Sequence, residues 1–217
     1  MNAVADDDVT FSEEPAPPAR PEPTRTAVID AVSRVVARRG PGAMRWSAIA
    51  REAGDSNMTR AWSFYGDMPA LVDECYSRAA QGLEQSLLRA ETAGGNGLDK
   101  LAVFLVAAFE IRRERGSLLS FRPAASEELP PAQRRRLRER DLMIRTRLKR
   151  LLMKGQQDGS LARRNVDCAC ALVLTNLQPS AMNPSAEAQR TWDAEYVEML
   201  LAALADPNVG ETWARET

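Results

Sequence analysis

Apolar residues recur along this chain at intervals of three, four and seven, the spacing of helices that bury one face. The spacing predicts a helix over residues 25–39 with Val28, Ile29, Val32, Val35 and Val36 inward, ended by Arg38, Arg39 and Gly40. Cations suit the negative end of a helix, and glycine suits the residue just past it. A longer helix is expected from about Pro69 to Arg89, with Leu71, Val72, Cys75, Ala79, Leu83 and Leu87 on one stripe, broken by the GGNG run at 94–97. The next, Leu98 to about Arg115, has a wide apolar face (Leu101, Phe104, Leu105, Ala108, Phe109, Ile111) that places it inside a body. Residues 116–131 read as looser, with Leu118, Leu119 and Phe121 between Gly116 and the prolines at 123, 130 and 131. Leu137, Ile144, Leu148 and Leu151 mark a long Arg-rich helix over about 131–157. Two last helices are expected at 166–177, apolar nearly all round, and at 186–204, with Trp192, Tyr196, Met199, Leu200 and Ala203 on one face. No run carries a strand signal better than these, so the expected fold class is all-α.

Between the first two long helices lies a different pattern. Trp46, Ile49, Ala50 and Ala53 share one face of a short helix, which Gly54 closes. Asp55 or Ser56 can cap a second short helix, Asn57 to Ser63, polar at its front and aromatic at its end (Trp62, Phe64, Tyr65). Gly66-Asp67-Met68-Pro69 then stops the chain and restarts a helix with proline in its first turn. A short helix, a glycine-containing turn and a polar-fronted second helix are the parts of a helix-turn-helix.

On these residues the stretch 25–72 resembles the DNA-binding domain of TetR-type transcriptional regulators. The matching positions are Ile29, Ala31, Val35 and Gly40, then Ile49-Ala50, Ala53-Gly54 and Ser56, then Trp62, Phe64-Tyr65, Gly66-Asp67 and Leu71. Asp55 stands where that family usually has Val, Met68 where it has a phosphate-gripping Lys, and Arg45 where it has a capping Thr or Ser. Four regions are expected: an acidic, Pro-rich tail at 1–24 that buries too little apolar surface to order itself, a helix-turn-helix head at 25–68, a helical ligand-binding and dimerisation body at 69–206 that the resemblance implies, and a flexible tail at 207–217.

It also implies roles. In a helix-turn-helix the second short helix enters the major groove, so Asn57, Thr59 and Arg60 would face base edges, Asn pairing with adenine and Arg with guanine. Arg45, Ser47, Ser56, Trp62, Ser63 and Tyr65 would contact or frame phosphates. Trp62 and Phe64 could instead wedge between helices, and Asn57 and Thr59 could serve as caps. The last two helices would pair with their twins across a two-fold axis, with Leu172, Trp192, Tyr196, Met199, Leu200 and Ala203 at the dimer interface. A small-molecule effector would occupy a body cavity lined by Phe104, Phe109, Phe121, Met143, Leu174 and Asn176, and its binding would release a palindromic operator. Periodicity alone reads those six as core.

Charge sharpens this picture. The net charge is −1, but residues 1–24 carry six acids against Arg20 (net −5), 25–66 carry seven Arg against three acids (net +4), and 110–164 carry sixteen Lys and Arg against seven acids (net +9). The basic body stretch could attract an anionic ligand such as an acyl-CoA; a solvated Arg-rich helix face explains it as well. Chemistry is thin. The chain has no His, and its three cysteines (75, 168, 170) form neither a disulfide framework nor a zinc spacing, so no metal and no cofactor is expected. No Gly-rich phosphate loop, G-x-S-x-G elbow or nucleophile–base pair is present, so no enzyme is expected. The N-terminus is acidic and the apolar runs are short, so neither a secretory signal nor a membrane span is expected, and the simplest home is the cytoplasm. The alternative function is a helical dimeric protein-interaction module whose helix-turn-helix no longer binds DNA.

Overall fold

The computed structural model describes residues 24–54, 58–119, 130–177 and 186–207. These form eight α-helices: α1 (Arg25–Arg39), α2 (Trp46–Glu52), α3 (Met58–Tyr65), α4 (Met68–Thr92), α5 (Gly97–Leu119), α6 (Pro131–Gln157), α7 (Val166–Asn176) and α8 (Ala186–Leu204). A 3-10 turn, Pro41–Ala43, links α1 to α2, and the described residues include no strand beyond a single bridge between Leu161 and Ala205. Phe121 and the segment 120–129 lie outside the described residues, as do 1–23 and 208–217.

Helices α1, α4 and α6 bury the stripes their spacing predicts. In α1, Val28, Ile29, Val32, Val35 and Val36 are all buried, as are Leu71, Val72, Cys75, Ala79, Leu83 and Leu87 in α4 and Leu137, Ile144, Leu148 and Leu151 in α6. The Thr24 hydroxyl accepts the Ala27 N–H at 3.2 Å to open α1, and the Asp67 carboxylate accepts the Ala70 N–H at 2.7 Å to open α4. Helix α4 is the spine. It packs on α5 and α6, and it touches α1 and α3 at its other end. Helix α5 runs one turn further than expected, to Leu119, so Leu118 and Leu119 are helical. Burial pushes the Cys75 thiol up to about 12, which leaves it a small apolar side chain in the α4 stripe.

Where α5 begins it crosses the end of α6 backbone to backbone. A Cβ on Gly97 would lie 2.1 Å from the Gly155 Cα, closer than any side chain tolerates. The first amides of α5 are satisfied from the same corner: Gly97 N–H donates to the Asp158 carboxylate at 2.8 Å, and Leu98 N–H to the Ser160 hydroxyl at 3.0 Å.

The C-terminal helices carry the main correction. Asp193, Val197, Leu200 and Leu204 form the inward stripe of α8, each less than a tenth exposed. Tyr196 and Met199 are 41% and 66% exposed, Ala203 is exposed and Trp192 half-buried. Leu200, expected with that outward set, is a core residue instead. Helix α5 packs on α8 and buries the stripe holding Leu200, while of the other stripe Tyr196 stacks on Phe109 of α5 and still stays 41% exposed. Helix α7 packs on α6 and turns Ala169, Cys170, Val173 and Leu174 inward, leaving Leu172 41% exposed.

Candidate nucleic-acid interface

The head is α1 to α3 with the start of α4. Ile49 and Ala50 seat α2 against α1, and Trp46 and Ala53 pack on the same core. Gly54, at φ 74°, takes the left-handed conformation that ends α2 and turns the chain toward α3. Arg45 stands at the N-cap of α2 with no side-chain cap bond, in keeping with an arginine where a hydroxyl would cap.

One carboxylate clasps α2 to α1. Arg34 donates through Nε to Glu52 Oε1 at 2.8 Å and through Nη2 to the Glu52 carbonyl at 3.1 Å, while Arg38 reaches the same Oε1 at 2.6 Å. The Arg34 hydrogen bond, followed by the Arg38 and Arg34 charges, holds the Glu52 carboxyl below the usual carboxylate range. Its folded-state value is therefore lower than its unfolded one. The clasp stabilises the head fully above the unfolded value, and that contribution is lost as pH falls through the folded one. Wild type and Glu52→Gln should differ in denaturant midpoint near neutral pH and converge in acid. A gap that stays constant with pH would disconnect the carboxylate from head stability.

A second tie holds the far end of α3. The Arg25 guanidinium lies 5.2 Å from the Tyr65 ring centroid and donates to the Phe64 carbonyl at 3.4 Å, and the Tyr65 hydroxyl donates to the Arg25 carbonyl at 3.4 Å. Tyr65 is half-buried, and burial raises its phenol. Its hydroxyl thus donates within the head. Nothing in the sequence pointed to the Arg25 and Glu52 ties, because their partners are far apart in the chain.

Helix α3 covers Met58–Tyr65 and ends later than the expected Ser63. Trp62 is 54% and Phe64 37% exposed, and Ser63 is exposed, so neither aromatic is a wedge between helices. Thr59 and Arg60 lie on the helix, but their side chains are outside the described set, and Ser56 and Asn57 lie outside the described residues altogether. Ser47 is exposed in the first turn of α2. Arg39, Arg45 and Arg51 are exposed, and their side chains make no hydrogen bond or ion pair with another described residue.

Five of the six residues expected to line an effector cavity are among the described residues, and Phe121 is not. Phe104, Phe109 and Leu174 are core residues at 0%, 2% and 6% exposure, while Met143 is 40% exposed on α6. The Asn176 side-chain amide donates to the Leu172 carbonyl at 2.8 Å, and the Asn176 backbone carbonyl accepts from Arg112 at 3.4 Å. Phe109 alone borders an open groove of about 310 Å³ between α5 and α8, with Val106, Arg113, Asp193 and Val197. Beside it Arg112 is ion-paired with Asp193, and both side chains are buried. The guanidinium sits 4.7 Å from the Phe109 ring and 5.8 Å from Tyr196.

No protein-family model and no curated protein sequence matches the chain. Solved structures do. The ketosteroid transcriptional regulator KstR2 of Mycobacterium tuberculosis is 16% identical, with a TM-score of 0.68 over 83% of this chain and 94% of its own. A regulatory protein of the TetR family from Rhodococcus RHA1 is 15% identical, with a TM-score of 0.67 over 84% and 97%. AibR, solved with isovaleryl coenzyme A and operator DNA, is 12% identical, with a TM-score of 0.65 over 84% and 98%. With that likeness spanning nearly the whole of each neighbour, the chain has the fold of the TetR-type transcriptional regulators.

Proposed function

We propose that this chain is a homodimeric transcriptional regulator, a repressor that binds a two-fold operator through α3 and is released by a small-molecule effector. The observation that carries this reading is the outward face of α3. Trp62, Ser63 and Phe64 are open to solvent on a helix tied down behind by Tyr65 and Arg25. A helix held on one side and free on the other is what a major groove accepts. Thr59 and Arg60 on that helix, with Asn57 just before it, supply base-reading chemistry, and Arg45 and Ser47 on α2 supply phosphate contacts.

Two-fold symmetry rests on Leu172, Tyr196 and Met199, apolar side chains left exposed on the two C-terminal helices, with Trp192 and Ala203 beside them. Effector control is supported by the fold shared with AibR, a protein solved with both a coenzyme A thioester and its operator. A ligand shifts such a protein only by binding one spacing of the two heads better than the other. Selection of bound duplexes from a random pool tests the reading. The expected product is a palindrome with half-sites about one helical turn apart. A pool that returns no shared motif would favour the protein-interaction alternative, for which exposed Trp62 and Phe64 are also suited.

A further inference from the structure

At the end of the body remote from the head, α4, α5 and α6 enclose a cleft of about 510 Å³. Its wall holds three cations, Lys100 at the start of α5 and Arg150 and Lys154 one turn apart on α6, over a floor that includes Leu151 and Gly97. The two carboxylates on the same wall are engaged elsewhere. Glu91 is ion-paired with Arg147 at 3.1 Å. Asp158 accepts the Gly97 N–H at 2.8 Å and the Ser160 N–H at 2.9 Å. Burial works against the Asp158 charge, but the Ser160 and Gly97 hydrogen bonds and the Lys100 ammonium hold its carboxyl below the usual range, so it stays ionised and committed to capping α5. The side chains of Lys100, Arg150 and Lys154 make no hydrogen bond or ion pair with another described residue, although the Lys100 ammonium lies near enough to act on the Asp158 charge.

We infer that this cleft binds a small phosphate-bearing anion, gripped by Lys100, Arg150 and Lys154. Three ammonium and guanidinium groups line one concavity against a single carboxylate charge, Asp158, because Glu91 is paired with Arg147, and the net positive field that remains is one a clustered anion satisfies. The volume exceeds that of one phosphate and suits a di- or triphosphate group with its carrier. The site is separate from the groove beside Phe109 and does not depend on the chain binding DNA.

The test uses inorganic pyrophosphate as probe, titrated calorimetrically into the full chain at roughly physiological ionic strength. Saturable binding is expected, weakened at least about tenfold by Arg150→Ala and by Lys154→Ala. Arg163→Ala, which removes an exposed cation outside the cleft, should bind as wild type does. The three replaced side chains, Arg150, Lys154 and Arg163, are exposed, and circular dichroism of each variant checks that the helices persist. Absence of saturable binding, undiminished binding in the Arg150 and Lys154 variants, or an equal loss in Arg163→Ala would overturn the assignment. The last result would mean that diffuse charge, not a cleft, holds the anion.

Discussion

Replacing Asp193 by alanine is expected to destabilise the folded chain by about 3–5 kcal/mol, the loss that follows when one partner of a buried ion pair is removed. Arg112 and Asp193 are 8% and 5% exposed at their side chains, so neither charge is hydrated by bulk water. The carboxylate is answered three times over. Arg112 donates to it, Gln189 donates to Oδ1 at 2.7 Å, and Arg113 lies 3.4 Å from Oδ2. Arg112 also donates to the Asn176 carbonyl at 3.4 Å, so one guanidinium joins α5, α8 and the end of α7. In Asp193→Ala that guanidinium stays buried between Phe109 and Tyr196 with a single carbonyl for company. Urea unfolding at fixed protein concentration measures the loss. The double replacement Arg112→Met with Asp193→Leu should recover most of it, because two apolar side chains carry no desolvation cost. A single variant within about 1 kcal/mol of wild type would mean that water reaches the pair after all.

That pair also marks the limit of what periodicity could reveal. The stripes of α1, α4 and α6 were legible because each has one apolar face and polar residues elsewhere. Helix α8 has two adjoining candidates, 192/196/199/203 and 193/197/200/204. The first holds Trp, Tyr and Met and reads as the stronger face, while the second begins with an aspartate. Only the structure supplies the Arg112 partner, 81 residues away, that makes a buried aspartate tolerable and turns the second stripe inward. Leu200 follows from that choice. Spacing likewise identifies Phe104, Phe109 and Leu174 as apolar-face residues, but cannot say whether such a face meets a cavity or another helix. Here Phe104 and Leu174 are buried in the helical core, while Phe109 also borders the groove between α5 and α8. The head was legible further, since Gly40, Gly54, Gly66 and Pro69 punctuate it. Its ties, Arg34 and Arg38 to Glu52 and Arg25 to Tyr65, join separate helices and leave no local trace.

Those ties set the second large effect, a steep dependence of operator binding on salt. Arg34 and Arg38 are committed to Glu52 and Arg25 to Tyr65, so they are poor candidates for phosphate contact. Arg39, Arg45 and Arg51 remain, three exposed cations per head and 2 × 3 = 6 per dimer. Each phosphate neutralised adds about −0.9 to the slope of log affinity against log salt, so six give a slope of about −5. Raising salt from about 50 to about 200 mM should then weaken binding roughly a thousandfold. Alanine at any one of the three removes two phosphate contacts from the dimer and should flatten the slope by about two, leaving the preferred sequence unchanged. Arg60→Ala should do the reverse, relaxing the choice at one base position by about 1–3 kcal/mol while leaving the slope nearly as it was. The two kinds of variant therefore separate phosphate grip from base reading within one head. A slope near zero, or one that none of the three arginines changes, would place the partner of α3 among proteins rather than nucleic acids.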